Sequence, residues 1–309
     1  MDGRHPDQSE TGRDKTVRDR PIIFGEVLFD CFEDGKRVLG GAPLNVAWHL
    51  AGLGLDPLLI SAVGDDGDGA AVLEAMRSWG LDTRGVAVDP QHPTGLVDVR
   101  VVRGQPTFSI LADRAWDFIP DTAVEAAAPG DGGLLYHGTL ASRSPVSAAS
   151  LGLLRTMHLP TFVDVNLRPP WWDREGVLHV LGGSRWVKLN SEELAAVLDP
   201  EDAVGAAERL RRRLDLEAVI LTLGEEGAFV QTALEQRSAA PPQLAEVSDT
   251  VGAGDAFSAV TIFGLLQDWP WSVILERAVA FAGQVCRIQG AVTHDRTLYE
   301  HALSQWEIT

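Results

Sequence analysis

The sequence predicts an α/β fold whose largely parallel central sheet is covered by helices on both faces. Apolar runs of strand length alternate with helical segments along most of the chain, which is the order that produces parallel sheets. One stretch between about Thr94 and Leu111 breaks this order, because apolar and polar residues alternate there with a period of two. That stretch predicts a hairpin of about residues 94–111 that forms a small accessory sheet.

The elements of the first half follow from turns and apolar spacing. Ile22 to Phe29 read as one strand that ends at Asp30, and Gly40-Gly41-Ala42-Pro43 reads as a turn into the first helix. The predicted order is strand Pro21–Phe29, helix Leu44–Leu53, strand Leu58–Val63, helix Gly69–Trp79 and then the hairpin.

The second half continues the alternation. Its predicted strands are Gly133–His137, Thr161–Val165, Trp186–Leu189, Ala218–Thr222 and Gly227–Gln231, with a helix at Ala203–Leu214. Ligands of parallel sheets bind beyond the carboxyl ends of the strands. The polar residues predicted at or just past such ends are Asp30, Asp164, Asn166, Asn190 and Thr222.

Composition excludes several classes of function. The net charge of −18 argues against nonspecific nucleic-acid binding, which needs a basic surface. Two cysteines are too few for a disulfide framework and fit a reducing compartment. No segment has 18 uninterrupted apolar residues, so no membrane span is expected. Residues 1–20 are polar and charged, which predicts a disordered tail rather than a signal peptide, and the expected location is the cytoplasm.

The segment Asp249–Phe257 carries the most chemical information. Gly252 and Gly254 stand where a loop becomes a long apolar helix, and backbone N–H groups at a helix start attract an anion. Asp255 beside such an anion site is suited to remove a proton from an attacking hydroxyl, which predicts phosphoryl transfer to an alcohol. The alternative is an ordinary helix start with an acidic first turn. The segment lacks the Gly-Lys-Ser/Thr of a P-loop, and Phe257 replaces the third glycine of a dinucleotide fingerprint.

Two motifs together resemble the ribokinase-like (PfkB) carbohydrate kinases, and among them the fructokinases. They are Gly40-Gly41-Ala42-Pro43-Leu44-Asn45-Val46-Ala47 and the Asp249–Phe257 segment, in the family's order and about 200 residues apart. The resemblance covers Pro21 to about Ala291. It implies a kinase domain over residues 21–309 with a three-layer α/β/α architecture, a small β-sheet lid over the sugar, and transfer of the γ-phosphoryl group of ATP.

The resemblance also implies roles for the residues of the second motif. Asp255 corresponds to the catalytic base. The backbone N–H groups of Gly252, Ala253 and Gly254 would stabilise charge on the transferring phosphoryl group.

Sugar contacts come from three places in the sequence under this resemblance. Asp30 resembles the family's acceptor for sugar hydroxyls, although it could simply be a turn residue. Gly41 and Asn45 correspond to sugar contacts of the first motif. Asn166 and Arg168 belong to an Asp-x-Asn-x-Arg segment common in fructokinases, although Arg168 could instead form a surface ion pair.

Nucleotide and metal contacts are implied in the same way. Asn190 and Glu193 match the Asn-x-x-Glu motif that organises Mg²⁺ through water, although such acids are also ordinary at a helix start. The remaining nucleotide contacts would be Thr222, Gly224, Gly227 and the shared Gly254.

Asp249 and the Gly290-Ala291 region resemble a site for a monovalent cation such as K⁺. The resemblance further suggests a homodimer formed through the lids, although the hairpin could be a plain edge hairpin.

The sequence therefore predicts an ATP-dependent sugar kinase with fructose as the favoured acceptor. The first motif and the Gly25-Glu26 pair are fructokinase-like, and no extra cluster of basic residues indicates a sugar phosphate. Kinases of the same family acting on nucleosides, ribose or 2-keto-3-deoxygluconate remain alternatives, as does a catalytically silent sugar or nucleotide sensor. A dinucleotide oxidoreductase is disfavoured, because no glycine fingerprint follows the first strand.

Overall fold

The computed structural model describes residues 20–102, 105–127, 133–198, 202–241 and 248–307. Except for Arg20, the predicted tail lies outside the described residues, and so does Gly104 at the tip of the predicted hairpin.

Two sheets organise the described part of the chain. The main sheet has nine strands in the order β13-β12-β11-β10-β9-β8-β1-β4-β5, and the small sheet has four in the order β3-β2-β6-β7. The strands are β1 Pro21–Phe24, β2 Leu28–Phe32, β3 Arg37–Gly40, β4 Leu58–Gly64, β5 Val86–Asp89, β6 Gly95–Val102, β7 Gln105–Ile110, β8 Leu134–His137, β9 Thr161–Asp164, β10 Trp186–Asn190, β11 Ala218–Thr222, β12 Ala228–Thr232 and β13 Gln236–Ala239.

The helices are connected to these strands in α/β order. They are α1 Ala42–Gly52, α2 Gly67–Trp79, α3 Asp121–Val124, α4 Pro145–Arg155, α5 Arg174–Leu181, α6 Ser191–Val197, α7 Ala203–Leu214, α8 Ala253–Leu266, α9 Trp271–Val285 and α10 Thr297–Gln305. Short 3₁₀ turns occur at Ala115–Phe118, Leu140–Arg143 and Gly224–Glu226.

The main sheet is the middle of three layers, as the sequence predicts. Neighbouring strands from β5 to β11 in the sheet are parallel, and β12 and β13 continue it antiparallel. Alternate residues of each strand point to opposite faces, so Ile22 joins a core with α3 and α4, whereas Ile23 joins one with α1, α8 and α9. Helices on both faces bury the central strands β1, β4, β8 and β9 completely, which explains their apolar runs, whereas the edge strands β5 and β13 are partly exposed.

The predicted first strand is wrong as a single element. Its first half is β1 in the main sheet, but its second half is β2 in the small sheet. The strand is interrupted at Gly25. This glycine has a φ of 150°, and a Cβ there would lie 2.4 Å from the ring of Pro43. Asp30 therefore lies inside β2 of the small sheet and not at the end of a main-sheet strand.

The small sheet contains the predicted hairpin and two further strands. β6 and β7 pair antiparallel across residues 95–110, while β2 pairs parallel with β6 and antiparallel with β3. β2 was missed because its first residues were assigned to the first main-sheet strand, and β3 was missed because Arg37–Leu39 was assigned to no element and Gly40 to a turn. No helix among the described residues is long and apolar enough to cross a membrane.

Candidate functional site

The two sequence motifs meet at the start of α8. The Nδ2 of Asn45, on α1, donates a 2.8 Å hydrogen bond to Oδ2 of Asp255, in the first turn of α8. These residues are 210 positions apart in the chain. The buried Oδ1 of Asn45 has no hydrogen-bond partner among the described residues. Asn45 therefore orients the carboxylate with one end of its amide and keeps an acceptor free for a ligand hydroxyl.

Gly41 begins α1 and cannot be replaced without strain. Its φ is 108°, and a Cβ there would lie 2.5 Å from the carbonyl oxygen of Glu26. This close approach packs the start of α1 against the segment that links the main sheet to the small sheet. The glycine thus fixes the direction from which Asn45 reaches Asp255.

The loop before α8 has the conformation that an anion site needs. Gly252 has a φ of 80°, and a Cβ at this position would lie 2.4 Å from Ala291. Ala253 is the first residue of α8, and the exposed Gly254 follows it, so neither carries a side chain that would cover the helix start. Asp249 holds the loop by accepting hydrogen bonds from the N–H groups of Val251 and Gly290.

The pKa of the Asp255 carboxyl is raised toward neutral pH. This pKa is raised from 3.8 to about 6, chiefly by burial and also by the negative charge of Asp164. The hydrogen bond from Asn45 and the charges of Lys188 and Arg168 act in the opposite direction. A carboxyl with this pKa is ionised at neutral pH and is still basic enough to accept a proton.

Two other carboxyls near the site have raised pKa values. Burial raises the pKa of Asp30 to about 6 and that of Glu26 to about 7, and the positive charge of Arg168 opposes both shifts. Glu26 is buried, and its Oε2 has no partner among the described residues. The exposed guanidinium of Arg168 thus lies within electrostatic range of Asp30, Glu26 and Asp255.

The Asp-x-Asn-x-Arg segment begins at the last residue of β9. Asp164 ends β9, and Asn166 has a left-handed φ of 42°, which turns the chain toward Arg168. Asp164 accepts a 2.7 Å hydrogen bond from the buried ammonium of Lys188 and a 2.8 Å bond from the hydroxyl of Ser258.

Asn190 and Glu193 form a capping box at the start of α6. Oδ1 of Asn190 accepts from the N–H of Glu193, and Oε2 of Glu193 accepts from the N–H of Asn190, each at 2.8 Å. Oε1 of Glu193 accepts from the N–H of Leu167 at 2.9 Å. Burial raises the pKa of Glu193, and the charge of Asp164 raises it further. Both carboxylate oxygens are thus engaged with backbone, so this side chain would reach a metal ion through water.

The proposed nucleotide loop follows β11. Thr222 ends β11 next to Asn190, which ends the neighbouring strand. Gly224 has a φ of 58° with no atom near its missing side chain, whereas a Cβ at Gly227 would lie 2.0 Å from the carbonyl oxygen of Ala239. The structure thus accounts for Gly227 by strand packing, while Gly224 leaves open space at the edge of the sheet.

The sequence analysis missed Lys188, Ser258 and Tyr136. A lysine in the apolar strand β10 and a serine in the apolar helix α8 signal buried polar partners. The buried hydroxyl of Tyr136 has no hydrogen-bond partner among the described residues, and burial raises its pKa. In the described ranges, no group of three or more His, Cys, Asp or Glu side chains is arranged to hold a metal ion.

Comparisons with known proteins agree on one family. A family model described as "pfkB family carbohydrate kinase" matches residues 25–297. A fructokinase of Klebsiella pneumoniae is 32% identical over 79% of this chain and 83% of its own length. A 5-dehydro-2-deoxygluconokinase of Geobacillus kaustophilus is 25% identical over 81% of this chain and 79% of its own length. The crystal structure of a fructokinase double mutant from Vibrio cholerae O395, in a fructose, ADP and potassium ion bound form, has a TM-score of 0.80 at 23% identity and covers 93% of this chain and 99% of that one.

Proposed function

Since this chain belongs to the pfkB family of carbohydrate kinases, we propose that it transfers the γ-phosphoryl group of ATP to a hydroxyl of fructose. The observation that carries the proposal is the hydrogen bond between Asn45 and Asp255 at the start of α8. It brings a candidate sugar contact and a candidate base together beside a glycine loop that suits a phosphate.

Asp255 is the proposed general base. Its carboxylate accepts the proton of the attacking sugar hydroxyl while the oxygen forms a bond to the γ-phosphorus. The bond between the γ-phosphorus and the bridging oxygen breaks, and ADP leaves with that electron pair. Because the pKa of Asp255 is about 6, the ionised form that this step needs dominates at neutral pH.

The N–H groups of Gly252, Ala253 and Gly254 are the proposed anion hole. Charge on the transferring phosphoryl oxygens would lie at the start of α8, where the helix dipole adds positive potential. Gly252 has a left-handed φ, and no side chain at Gly254 covers the helix start. The N–H of Ala253 donates a 3.3 Å bond to the carbonyl oxygen of Thr250, which a bound phosphate would share or replace.

The sugar is proposed to lie between the small sheet and the start of α1. Oδ1 of Asn45 lacks a partner among the described residues and would accept from a sugar hydroxyl. Asp30 reaches the same region from β2, where the nearby Arg168 favours its ionised form. Arg168 and Asn166 would donate to hydroxyl or carbonyl oxygens of the sugar, and Gly41 allows close approach of backbone.

The nucleotide is proposed to bind along the ends of β10 and β11. This end of the sheet carries the polar side chains of Asn190 and Thr222 and the open space at Gly224. Polar groups and free space there would suit the phosphates of ATP. Mg²⁺, when bound through water to Glu193, would neutralise charge on the phosphates. Asp249, whose two oxygens already accept backbone N–H groups, is proposed to border a K⁺ site.

A different acceptor sugar is the second candidate. The similarity to a 5-dehydro-2-deoxygluconokinase, 25% identical over 81% of this chain, favours it. A homodimer through the small sheet is also proposed, since Phe32 and Phe108 of its strands are 36% and 50% exposed. Gel filtration of the wild type against a Phe108→Ser variant tests the dimer.

ADP release from MgATP tests the proposed reaction. The acceptors are fructose, ribose, 2-keto-3-deoxygluconate, 5-dehydro-2-deoxygluconate, fructose 6-phosphate and adenosine, each with wild type and Asp255→Asn. Turnover with fructose that the substitution abolishes supports substrate and base together. Turnover with another acceptor replaces fructose and keeps the base, whereas ATP binding without any turnover contradicts the kinase proposal and favours a sensor.

A further inference from the structure

We propose that the buried ion pair of Lys188 and Asp164 is a positioning pair for the catalytic helix α8. Asp164 holds the start of α8 through Ser258 in the second turn, and Lys188 places a positive charge beside Gly254. This inference rests on the proposed kinase function for its role in catalysis, but its structural content can be tested without any substrate.

The ion pair is buried and its two charged groups are in direct contact. Nζ of Lys188 lies 2.7 Å from Oδ2 of Asp164, and the two side chains are only 7% and 3% exposed. Burying two charges costs free energy that their mutual attraction often fails to return, so apolar residues of similar size would commonly serve stability as well. Stability alone therefore gives a poor account of this pair.

Ser258 connects the pair to α8. Its buried hydroxyl lies 2.8 Å from Oδ2 of Asp164 and 3.0 Å from the carbonyl oxygen of Gly254. A hydroxyl has one proton, and the carboxylate is the stronger acceptor, so the bond to Asp164 is favoured. Ser258 lies one helical turn after Gly254, and this bond therefore fixes the turn that carries Asp255.

Lys188 lies directly under the glycine loop. A Cβ built at Gly254 would be 3.5 Å from Nζ of Lys188, which among the described residues is the one contact within 4 Å outside the neighbouring residues and backbone of α8. Gly254 itself is exposed. An anion at the start of α8 would thus meet backbone N–H groups with a buried ammonium behind them, and both stabilise negative charge.

Asp255 is surrounded by charged groups from several elements. They are Asp164 at the end of β9, Lys188 on β10, Arg168 after β9 and Glu26 after β1, with the neutral partners Asn45 on α1 and Tyr136 on β8. Asp164 raises the pKa of Asp255, while Lys188 lowers it. Removing one member of the pair should therefore shift the titration of Asp255 in a direction that depends on which member is removed.

The experiment follows the carboxyl carbon of Asp255 by NMR in ligand-free protein labelled with ¹³C at the aspartate carboxyls. The signal of Asp255 is assigned by its loss in Asp255→Asn. We expect Lys188→Met to raise the pKa of Asp255, and Asp164→Asn to lower it. The matched control Lys36→Met removes the same charge from the exposed turn between β2 and β3 and should leave the titration unchanged.

Two further variants separate position from charge. Lys188→Met/Asp164→Asn removes both charges, leaves no unpaired buried ion and should return the pKa of Asp255 toward the wild-type value. Ser258→Ala keeps both charges and removes only the bond between α8 and Asp164. It should reduce kcat by about tenfold or more, while the pKa of Asp255 shifts less than in either charge variant. In the Lys188→Met variant we expect kcat with the active sugar to fall by about 10- to 100-fold.

Two results would overturn the proposed positioning pair. One is a pKa of Asp255 that is the same in all variants, and the other is a shift of that pKa in the same direction in Lys188→Met and Asp164→Asn. Loss of kcat in Ser258→Ala no larger than in Lys36→Met would overturn the tether. A wild-type protein that phosphorylates no sugar would instead contradict the proposed function, and the NMR titration would still decide whether the pair controls Asp255.

Discussion

Replacing Asp255 by Asn should inactivate the enzyme and stabilise the protein in the same step. The Asn side chain has nearly the same shape, and its Oδ1 can still accept the hydrogen bond that Asn45 gives to Asp255. It cannot accept the proton of the sugar hydroxyl. We expect kcat to fall by about 10²–10⁴-fold, the usual contribution of a general base, while ATP still binds.

The stability gain follows from the pKa of Asp255. Its folded pKa of about 6 is higher than its ordinary 3.8, and at about 1.4 kcal/mol per unit the ionised carboxylate opposes folding by up to about 3 kcal/mol. The sign follows from proton binding: between these two pH values the folded protein binds more protons than the unfolded chain, so stability falls as pH rises. This cost is fully present above about pH 6 and absent below about pH 3.8.

Urea unfolding of wild type and Asp255→Asn at pH 4 and pH 8 measures this effect. We expect the variant to gain up to about 3 kcal/mol relative to wild type at pH 8 compared with pH 4, as the pKa shift implies. The pH profile of wild-type kcat/KM should also lose activity below about pH 6, where Asp255 becomes protonated. An equal stability difference at both pH values, or an acid limb far from pH 6, would refute the assignment of a raised pKa to Asp255.

Three further predictions concern other residues. Asn45→Ala should raise the pKa of Asp255 by removing its hydrogen bond, so the acid limb of the pH–rate profile moves to higher pH and the KM for the sugar rises, both measured by steady-state kinetics. Gly252→Ala should cost about 1–3 kcal/mol in urea unfolding, because φ is 80° and the new Cβ would overlap the neighbouring loop, whereas Gly224→Ala, which meets no atom, should cost less. His49 is buried with its pKa lowered to about 4 from 6.5, so its contribution to stability should fall by up to about 3 kcal/mol as pH drops from 6.5 to 4, opposite to the contribution of Asp255. The stability of His49→Gln relative to wild type should therefore rise by that amount over this range in urea unfolding, and a constant difference would contradict a neutral buried imidazole.

The sequence was sufficient for the main sheet because burial on both faces leaves a direct trace. Strands β8 to β12 and helix α7 are apolar or amphipathic segments with clear turn residues, and their predicted bounds lie within one or two residues of the observed ones.

The small sheet was only half predicted, because β1 and β2 are separated by only three residues and were read as one strand. The interruption is marked in the sequence only by Gly25-Glu26, and the need for a glycine appears only when Pro43 is packed against Gly25. For this reason Asp30 was predicted at the end of the wrong strand. A glycine inside an apolar strand can mark a close contact that is distant in sequence.

The site was predicted as separate residues and not as an arrangement. The two glycine motifs identified Asn45 and Asp255, but their hydrogen bond depends on the packing of α1 against α8. Lys188 and Ser258 belong to no motif that the sequence analysis recognised. Only the structure reveals that both are bonded to Asp164, because three elements must assemble before the partners meet.

The same long-range bonds limit when this chain can fold during its synthesis. Besides the bond from Asn45 to Asp255, His49 contacts the carbonyl oxygen of Ala291 and the hydroxyl of Tyr299 at 3.0 Å, across more than 240 residues. An N-terminal nascent chain therefore exposes the buried face of α1 until almost the last helix has been synthesised. Native contacts so distant in sequence slow folding, and exposed apolar surface during that delay favours aggregation or chaperone binding. The site where a sugar and a nucleotide would meet can therefore form only after Asp255, 210 residues beyond Asn45, has been synthesised.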